Sequence, residues 1–483
     1  DVFKKTLIKL YGTDENFDYD DTLYGLGSDD SIYGGIGDDT LYGGTGIDEL
    51  RGQAGNDEID GGSGNDTIDF SDANTGVEVY LDGSDENNNT VAYEVMEDGF
   101  GTNDTVTNVE NVVGSSQKDI IKGDSNTNII QAGAQDDTII ATDGGDTIDG
   151  GSHTTGAGGG DWLSFEALNT SVIATMKDGT ITGGLGTTNI TDIENLYGSE
   201  QNDELTGDDN DNSLDGNLGD DVLNGGLGND HLLGNDGDDT LIGGDGFDTY
   251  DGGAGDSDYI SFYDEQASVD VDLTTSTVND DGYGNTESGA ISNVENIRGT
   301  LTYGDNLTGD ANNNIIYGYG GSDVINSKEG YDTIYGGTGT DTIDTGTNTD
   351  VNNEDVAFGG EGIDTLTGGL SGSVLYGDAI GGSNVEQDWI DYSDSSNGII
   401  VDLSQSVSYT STSDSNLNGN YNQVVNIDDN TQVDYITQIE NIIGTDQVDT
   451  LGGDGGNNTI YAGLGNDTFL LSSGDDTLYG EDG

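Results

Sequence analysis

The sequence predicts an all-β fold, a parallel β-solenoid of nine-residue repeats that is interrupted by four β-rich inserts. Two observations lead to this prediction. A nine-residue unit recurs along most of the 483-residue chain, and residues 34–42, 43–51 and 61–69 are clear copies of it. Proline is absent beside 83 glycines, whereas disordered and collagen-like chains are usually rich in proline. The repeat therefore indicates a solenoid in which each unit contacts only its neighbours.

Each unit consists of a glycine-rich turn, an aspartate at its sixth position and a short strand with one aliphatic residue. In residues 34–42 these positions are Asp39 and Leu41. Glycine allows the positive φ angles that such a tight turn needs. We expect the aliphatic residue to point inward, but one aliphatic residue per unit is a thin core. Its burial cannot offset the cost of ordering the backbone, so another interaction has to stabilise the fold.

Four longer segments separate the repeat blocks, and they resemble one another. Each insert begins with a strand signal and continues with alternating apolar residues, such as Val77, Val79 and Leu81, which predict a half-buried strand. Each insert closes with a Glu-Asn pair, first at Glu110-Asn111. We predict a first block at 1–68, then an insert with a block at 69–160, 161–258 and 259–388, and an insert with a partial block at 389–483.

The composition excludes several classes of partner. With 9 Lys and Arg against 96 Asp and Glu, the net charge is -87, which disfavours nucleic acids and anionic membrane surfaces. No apolar run is long enough to span a bilayer, so we expect no membrane insertion. Cysteine is absent, which removes disulfides and thiolate sites. Metal ions are the remaining means of stabilising such a chain outside the cell.

The turn chemistry predicts multiple Ca²⁺ sites. A glycine-rich turn directs several carbonyl oxygens to one side, and the aspartate adds carboxylate oxygen. Hard oxygen ligands in a flexible geometry suit Ca²⁺, whereas Mg²⁺ requires a rigid octahedron. The candidate ligands are the sixth-position aspartates, namely Asp30, Asp39, Asp48, Asp57, Asp66, Asp119, Asp137, Asp146, Asp203, Asp221, Asp230, Asp239, Asp248, Asp323, Asp332, Asp341, Asp364, Asp449, Asp467 and Asp476.

The blocks resemble the repeats-in-toxin (RTX, hemolysin-type) calcium-binding β-roll family, as in large secreted bacterial surface proteins. In that family two nonapeptides form one coil of 18 residues, with a row of ions on each side. The resemblance implies ions between same-side aspartates, namely Asp30 with Asp48, Asp48 with Asp66, Asp39 with Asp57, Asp203 with Asp221, Asp221 with Asp239, Asp230 with Asp248, Asp323 with Asp341 and Asp449 with Asp467. The chain departs from the motif at Gln53, Asn128, Asn212, Asn314, Ser373 and Asn458.

Other chemically notable residues offer weaker signals. His153 and His231 are isolated in sequence, and neither has a second histidine with which to form a zinc site. The chain has no recognisable catalytic motif, so we predict that it is not an enzyme. Trp162 and Trp389 are interpreted as outward packing at insert entrances, with carbohydrate stacking as the alternative.

These features predict a calcium-binding structural region of a secreted bacterial adhesin, surface layer or filament. We expect it to be exported unfolded by type I secretion and to fold on Ca²⁺ outside the cell. The alternative is the secretion module of an RTX enzyme or toxin whose catalytic domain lies outside this chain. Besides calcium ions, the expected partners are copies of the chain itself or cell-surface glycans.

Overall fold

A computed structural model of the chain describes residues 9–11, 20–84, 95–153, 159–182, 187–288, 290–346, 355–370, 372–378, 387–409, 419–427, 433–470 and 472–481. The described residues form strands, turns and bends without any helix, which confirms the all-β prediction. Accordingly, these ranges contain no helix with the length and apolarity that a membrane crossing requires. The chain divides into two compact units, Asp1–Gly255 and Asp256–Gly483. The predicted division into five segments remains a prediction.

The first unit stacks short strands in parallel. Its strands are β1 Lys9–Tyr11, β2 Thr22–Tyr24, β3 Ser31–Ile36, β4 Thr40–Gly46, β5 Glu49–Ala54, β6 Glu58–Gly64, β7 Thr67–Asp69, β8 Glu78–Tyr80, β9 Val95–Glu97, β10 Thr105–Thr107, β11 Asn111–Val113, β12 Ile120–Lys122, β13 Ile129–Ala134, β14 Thr138–Ile140, β15 Thr147–Ser152, β16 Trp162–Ser164, β17 Ile173–Thr175, β18 Thr180–Thr182, β19 Thr188–Thr191, β20 Asn195–Tyr197, β21 Glu204–Thr206, β22 Ser213–Asp215, β23 Val222–Leu227, β24 His231–Asn235, β25 Thr240–Asp245 and β26 Thr249–Gly253.

Consecutive coils of this unit pair in register. In one row, β3, β5, β7, β11, β13, β15 and β19 follow one another as parallel neighbours. A second row contains β2, β4, β6 and β10, and a third contains β8, β12, β14, β16, β20, β22, β24 and β26. A fourth row contains β17, β21, β23 and β25. Strand β18 pairs antiparallel with β17 and β19.

The second unit repeats this arrangement. Its strands are β27 Tyr259–Ser261, β28 Asp270–Asp272, β29 Thr277–Asp280, β30 Glu287–Ser288, β31 Ile291–Ser292, β32 Asn296–Arg298, β33 Asn306–Thr308, β34 Ile315–Gly321, β35 Val324–Asn326, β36 Thr333–Gly339, β37 Thr342–Asp344, β38 Val356–Gly362, β39 Thr365–Thr367, β40 Val374–Tyr376, β41 Trp389–Asp391, β42 Ile399–Asp402, β43 Val407–Tyr409, β44 Gly419–Asn426, β45 Val433–Thr437, β46 Asn441–Ile443, β47 Thr450–Gly452, β48 Thr459–Tyr461, β49 Thr468–Leu470 and β50 Thr477–Tyr479.

Two long parallel rows dominate the second unit. One contains β27, β32, β34, β36, β38, β40 and β45. The other contains β28, β33, β35, β37, β39, β41, β46, β48 and β50. Strands β42, β47 and β49 form a short parallel row. The antiparallel pairings of β29 and of β44 belong to the inserts.

The core consists of one row of buried aliphatic side chains along each row of strands. Ile32, Leu41 and Leu50 are fully buried, and Ile32 lies opposite Leu50 in the ladder, one 18-residue coil away. On the outer face, Tyr24 stacks on Tyr42 with ring centroids 4.9 Å apart. The predicted inward aliphatic position is therefore confirmed, and the coil length of 18 residues follows directly from the register.

The inserts add coils to the stack as well as excursions from it. Ile68, just before the first insert, lies directly opposite Val112, which follows the first Glu-Asn pair. Within that insert, Val77 and Val79 are buried, as their alternation predicted. The row of buried apolar side chains therefore continues through the described part of the insert.

Candidate metal centres

The sixth-position aspartates form ladders along the turns. The backbone N–H of Asp30 donates to Oδ1 of Asp48 at 2.8 Å, and the N–H of Asp48 donates to Oδ1 of Asp66 at 2.8 Å. On the other side, Asp39 donates in the same way to Asp57 at 2.7 Å. All eight same-side pairs that the family resemblance implied are joined by this contact. Their adjacency is confirmed, and an ion between them remains a proposal.

The second carboxylate oxygen of many of these aspartates is buried and accepts no hydrogen bond. A buried polar atom without a partner is costly, and a buried charged oxygen is more so. In these turns the arrangement therefore leaves a carboxylate oxygen that a cation could neutralise. The oxygens concerned are Oδ2 of Asp39, Asp48, Asp57, Asp66, Asp137, Asp221, Asp230, Asp323 and Asp341.

The first glycine of each turn brings backbone oxygen close to this carboxylate. A methyl group placed on Gly34 would lie 2.6 Å from Oδ2 of Asp39 and 2.6 Å from the carbonyl oxygen of Gly52. Only glycine leaves this space open, so the repeat holds a carboxylate oxygen and a carbonyl oxygen of the next coil around one small cavity. Carboxylate and carbonyl oxygens are the ligands that Ca²⁺ prefers, so the donor set fits this ion.

The raised pKa values of several ladder aspartates also favour a bound cation. Burial raises the pKa of the Asp57 carboxyl to about 7, although the hydrogen bond from Asp39 lowers it and the charge of Asp39 raises it again. Burial raises the pKa of Asp137, Asp221 and Asp230 to about 8. Without a cation, burial thus destabilises the ionised form of these groups. A bound divalent ion would compensate for this effect and stabilise the carboxylates.

The first aspartate of each later block is already satisfied by hydrogen bonds. Ser115 donates to Asp119 both from its backbone N–H, at 2.5 Å, and from its hydroxyl, at 2.7 Å. The same pair of contacts, from Ser199, Thr300 and Thr445, holds Asp203, Asp305 and Asp449. The Gly-Ser and Gly-Thr starts therefore close these turns with side-chain hydrogen bonds. Asp119, Asp203 and Asp449 remain candidate ligands, but with less unsatisfied oxygen than the others.

The asparagines that replace aspartate in the second turn of each later block have a structural role. Oδ1 of Asn128 accepts the N–H of Asp124 at 2.8 Å, and its Nδ2 donates to the carbonyl oxygen of Glu110 at 2.7 Å. An aspartate has no N–H with which to make the second contact. Asn212, Asn314 and Asn458 make the same two contacts, so an amide closes these turns at the sixth position, where the regular turns have a carboxylate.

The glutamate of each Glu-Asn pair takes the place of an aspartate at the end of a ladder. A carboxylate oxygen of Glu110 accepts the N–H of Asp66 at 2.8 Å. Glu194, Glu295 and Glu440 accept the N–H of Asp161, Asp258 and Asp388 at 2.9, 3.1 and 3.0 Å. The ladder thus explains why a glutamate recurs at the end of every insert, a role that the sequence did not reveal.

The turn that lost its aspartate at Ser373 is closed by Asp434 from the last insert. The Asp434 carboxylate accepts the N–H groups of Leu370, Gly372 and Ser373 at 2.9, 3.1 and 3.1 Å. The hydroxyl of Tyr392 donates to it at 2.6 Å. Backbone N–H groups attract an anion, so this turn is held by a carboxylate where the regular turns offer oxygens to a cation.

The remaining candidates also occupy ladder positions. Oδ1 of each accepts the backbone N–H of the ladder residue that occupies the same position in the preceding coil. Oδ2 of Asp476 also accepts the Ser472 hydroxyl at 2.7 Å. The acceptors are Asp146, Asp239, Asp248, Asp332, Asp364, Asp467 and Asp476.

Nine-residue counting missed buried aspartates that continue the ladders through the inserts. Asp104, for example, accepts the N–H of Asp57 at 2.9 Å across 47 residues of sequence. Each is followed two positions later by a buried apolar residue, as Asp104 is by Val106, and this signal identifies them without regular spacing. They are Asp104, Asp161, Asp258 and Asp388.

The comparisons with known proteins support the same chemistry. The family model of the RTX calcium-binding nonapeptide repeat, which represents four copies, matches residues 16–50, 42–74, 122–152, 191–223, 224–258, 301–334, 321–351, 352–379, 443–478 and 471–483. Together these matches cover more than half of the chain. No curated protein matches it.

Proposed function

Because the chain belongs to the family of RTX calcium-binding nonapeptide repeats, we propose that it is a calcium-dependent structural region of a bacterial adhesin, surface layer or filament. RTX repeats bind Ca²⁺ in multiple copies, and they are typical of secreted proteins. Their β-roll is a structural and binding domain. The proposal adds the cell-surface or extracellular assembly role, and it assigns no catalysis to the chain.

The observation that carries this proposal is the ladder of buried carboxylates. The oxygen of Asp48 that accepts no hydrogen bond lies in the interior, and the same holds for Asp221 in the third predicted segment and Asp341 in the fourth. A binding module with one site would need one such turn, whereas here such turns recur along the solenoid. Calcium would therefore stabilise the solenoid as a whole, and folding and calcium binding would occur together.

The same chemistry suggests where the chain folds. Without calcium, a chain of net charge -87 repels itself and stays expanded. Sites with the affinity of extracellular calcium modules, Kd about 10⁻⁴–10⁻³ M, would stay empty in the cytosol and fill outside the cell. We therefore propose export in the unfolded state, followed by folding that propagates between neighbouring repeats.

Deletion of residues 1–483 from the full-length protein in its native host tests the structural role. We expect the remainder to reach the medium but to be lost from the cell surface, because the calcium-built region is what anchors or extends the assembly. Surface retention is measured by immunolabelling of intact cells, and export by immunoblotting of the medium. If the remainder stays in the cytosol, the chain is instead a secretion module, as in RTX enzymes and toxins.

A chelator wash of wild-type cells provides the matched control. Calcium removal should release or unfold the surface protein, whereas a wash with Mg²⁺ in place of Ca²⁺ should have the effect of the chelator, because Mg²⁺ fits these turns poorly. Retention of protease-resistant protein on cells in excess chelator would contradict the proposal.

A further inference from the structure

One turn of the first unit is longer than the others and contains a histidine. Five positions separate Gly61 from Asp66 in a regular turn, but eleven separate Gly150 from Asp161. Asp161 nevertheless occupies the ladder position, because its Oδ1 accepts the N–H of Asp137 at 2.7 Å. A methyl group on Gly150 would lie 2.7 Å from Oδ2 of Asp161, as in the regular turns. The turn is thus a ladder turn with additional residues.

This turn has a side chain at a position where a regular turn requires glycine. The fourth position of the regular turn is Gly64, where a Cβ atom would collide with the carbonyl oxygen of Gly46. The fourth position of the long turn is His153. Its Nδ1 lies 3.1 Å from a carboxylate oxygen of Glu194. The imidazole therefore lies beside the last carboxylates of this ladder.

Three possible ligand atoms converge at this point. The ligand atoms of His153, Asp161 and Glu194 all lie within 4.8 Å of one another. Asp161 is 0% exposed, and its Oδ2 has no hydrogen-bond partner. Glu194 is held in place because its carboxylate accepts the N–H of Asp161 at 2.9 Å. A buried, unsatisfied oxygen, a fixed second carboxylate and an imidazole nitrogen thus face one small space.

We propose that His153, Asp161 and Glu194 form a site for a divalent transition-metal ion, with Zn²⁺ as its representative. Zn²⁺ binds imidazole nitrogen and carboxylate oxygen at about 2.0–2.2 Å, so two of its tetrahedral ligands lie roughly 3.3 Å apart. The separation of Nδ1 of His153 from Glu194, 3.1 Å, is close to this value. Imidazole favours Zn²⁺ and its neighbours in the transition series, whereas Ca²⁺ prefers an all-oxygen set of six to eight ligands.

Three related junctions of the chain lack this nitrogen. Glu110, Glu295 and Glu440 make the same contact with the N–H of a ladder aspartate, so the carboxylate pair alone is a general feature of the fold. The chain has only 2 histidines, and the other, His231, lies on β24 with its Nδ1 2.6 Å from the Thr249 hydroxyl. The histidine is therefore what distinguishes the proposed site from the calcium turns.

The test is isothermal titration of the full chain with Zn²⁺ in saturating Ca²⁺, which fills the ordinary turns. We expect one Zn²⁺ site that His153→Ala weakens by about tenfold or more, because it removes the only nitrogen ligand. His231→Ala is the matched control and should bind Zn²⁺ as the wild type does. Glu194→Gln keeps an acceptor for the Asp161 N–H but removes a charge, so it should also weaken binding.

Circular dichroism in Ca²⁺ establishes that each variant is folded. If His153→Ala does not fold, Co²⁺ bound to the wild-type chain replaces it as the probe, and a tetrahedral visible absorption spectrum that Zn²⁺ abolishes supports the site. Zn²⁺ binding by His153→Ala equal to that of the wild type would overturn the proposal, as would displacement of the Zn²⁺ by excess Ca²⁺. The first result would leave the contact between His153 and Glu194 without a metal, and the second would make the site one more calcium turn.

Discussion

Replacement of Asp57 by asparagine separates the two effects of a ladder carboxylate. Asp57 is 2% exposed, its Oδ1 accepts the N–H of Asp39 at 2.7 Å, and its Oδ2 has no hydrogen-bond partner. Asparagine keeps the Oδ1 acceptor and nearly the same shape but removes the negative charge. We expect Asp57→Asn to weaken calcium binding and, in the absence of calcium, to relieve the fold of a buried charge.

The pKa of Asp57 gives the magnitude. It is about 7 in the fold, against an ordinary value of 3.8. The pKa is therefore raised by about three units, and ionisation of this carboxyl at pH 8 destabilises the calcium-free fold by on the order of 4 kcal/mol. Calcium has to overcome this penalty before it stabilises the fold. The calcium-dependent part of the free energy of unfolding should thus shrink by a similar amount in Asp57→Asn.

The assay is urea unfolding at pH 8, followed by circular dichroism at limiting and at saturating calcium. Asp38→Asn is the matched control, since Asp38 carries the same charge, lies on the exposed side of a neighbouring turn and accepts the N–H of Asn56 at 2.8 Å. The control should change the free energy of unfolding by less than about 0.5 kcal/mol. Equal effects of the two substitutions would refute the reasoning, because total charge and not the buried site would then control folding.

Further outcomes follow from the same geometry. Asp39→Ala should raise the calcium midpoint of folding more than Asn212→Ala or Ser373→Ala, because the latter two turns are closed by hydrogen bonds; calcium titrations that give equal shifts would show that the register is wrong. Gly44→Ala should destabilise the calcium-bound fold by about 1 kcal/mol or more, because φ is 105° there and the new methyl would lie 2.5 Å from the Leu26 carbonyl oxygen; thermal unfolding in calcium would show it. In chelator, β-signal should increase as the pH falls from 8 to 4, because raised pKa values such as that of Asp221, about 8, make the fold bind protons more tightly than the unfolded chain does. Calcium affinity should fall over the same pH range, and a pH-independent calcium midpoint would contradict this assignment.

Local patterns in the sequence predicted the features that depend on neighbouring residues. The nine-residue period placed Leu41 in the core. The resemblance to the RTX family, in which two units form one coil of 18 residues, implied that Asp39 lies beside Asp57. The fold class, the calcium chemistry and the same-side pairs could therefore be predicted before any coordinates were known.

Contacts across the inserts could not be predicted in this way. Asp434 reaches the turn at Ser373 from 61 residues away, and Glu110 reaches Asp66 from 44 residues away. No period relates such residues, because the length of each excursion is free to vary. The histidine at position 153 was treated as isolated for the same reason, since Glu194 lies 41 positions further along the chain. Only the folded coil brings these groups together.

A calcium titration that records folding and ion binding on the same sample tests the central claim most directly. Circular dichroism measures the β-signal, and equilibrium dialysis measures bound Ca²⁺ at each concentration. Because the buried carboxylates need a cation, we predict mostly coil in excess chelator at pH 7.5, and a β-signal and bound Ca²⁺ that rise together in the millimolar range. A β-rich spectrum that persists in excess chelator at this pH would contradict the account.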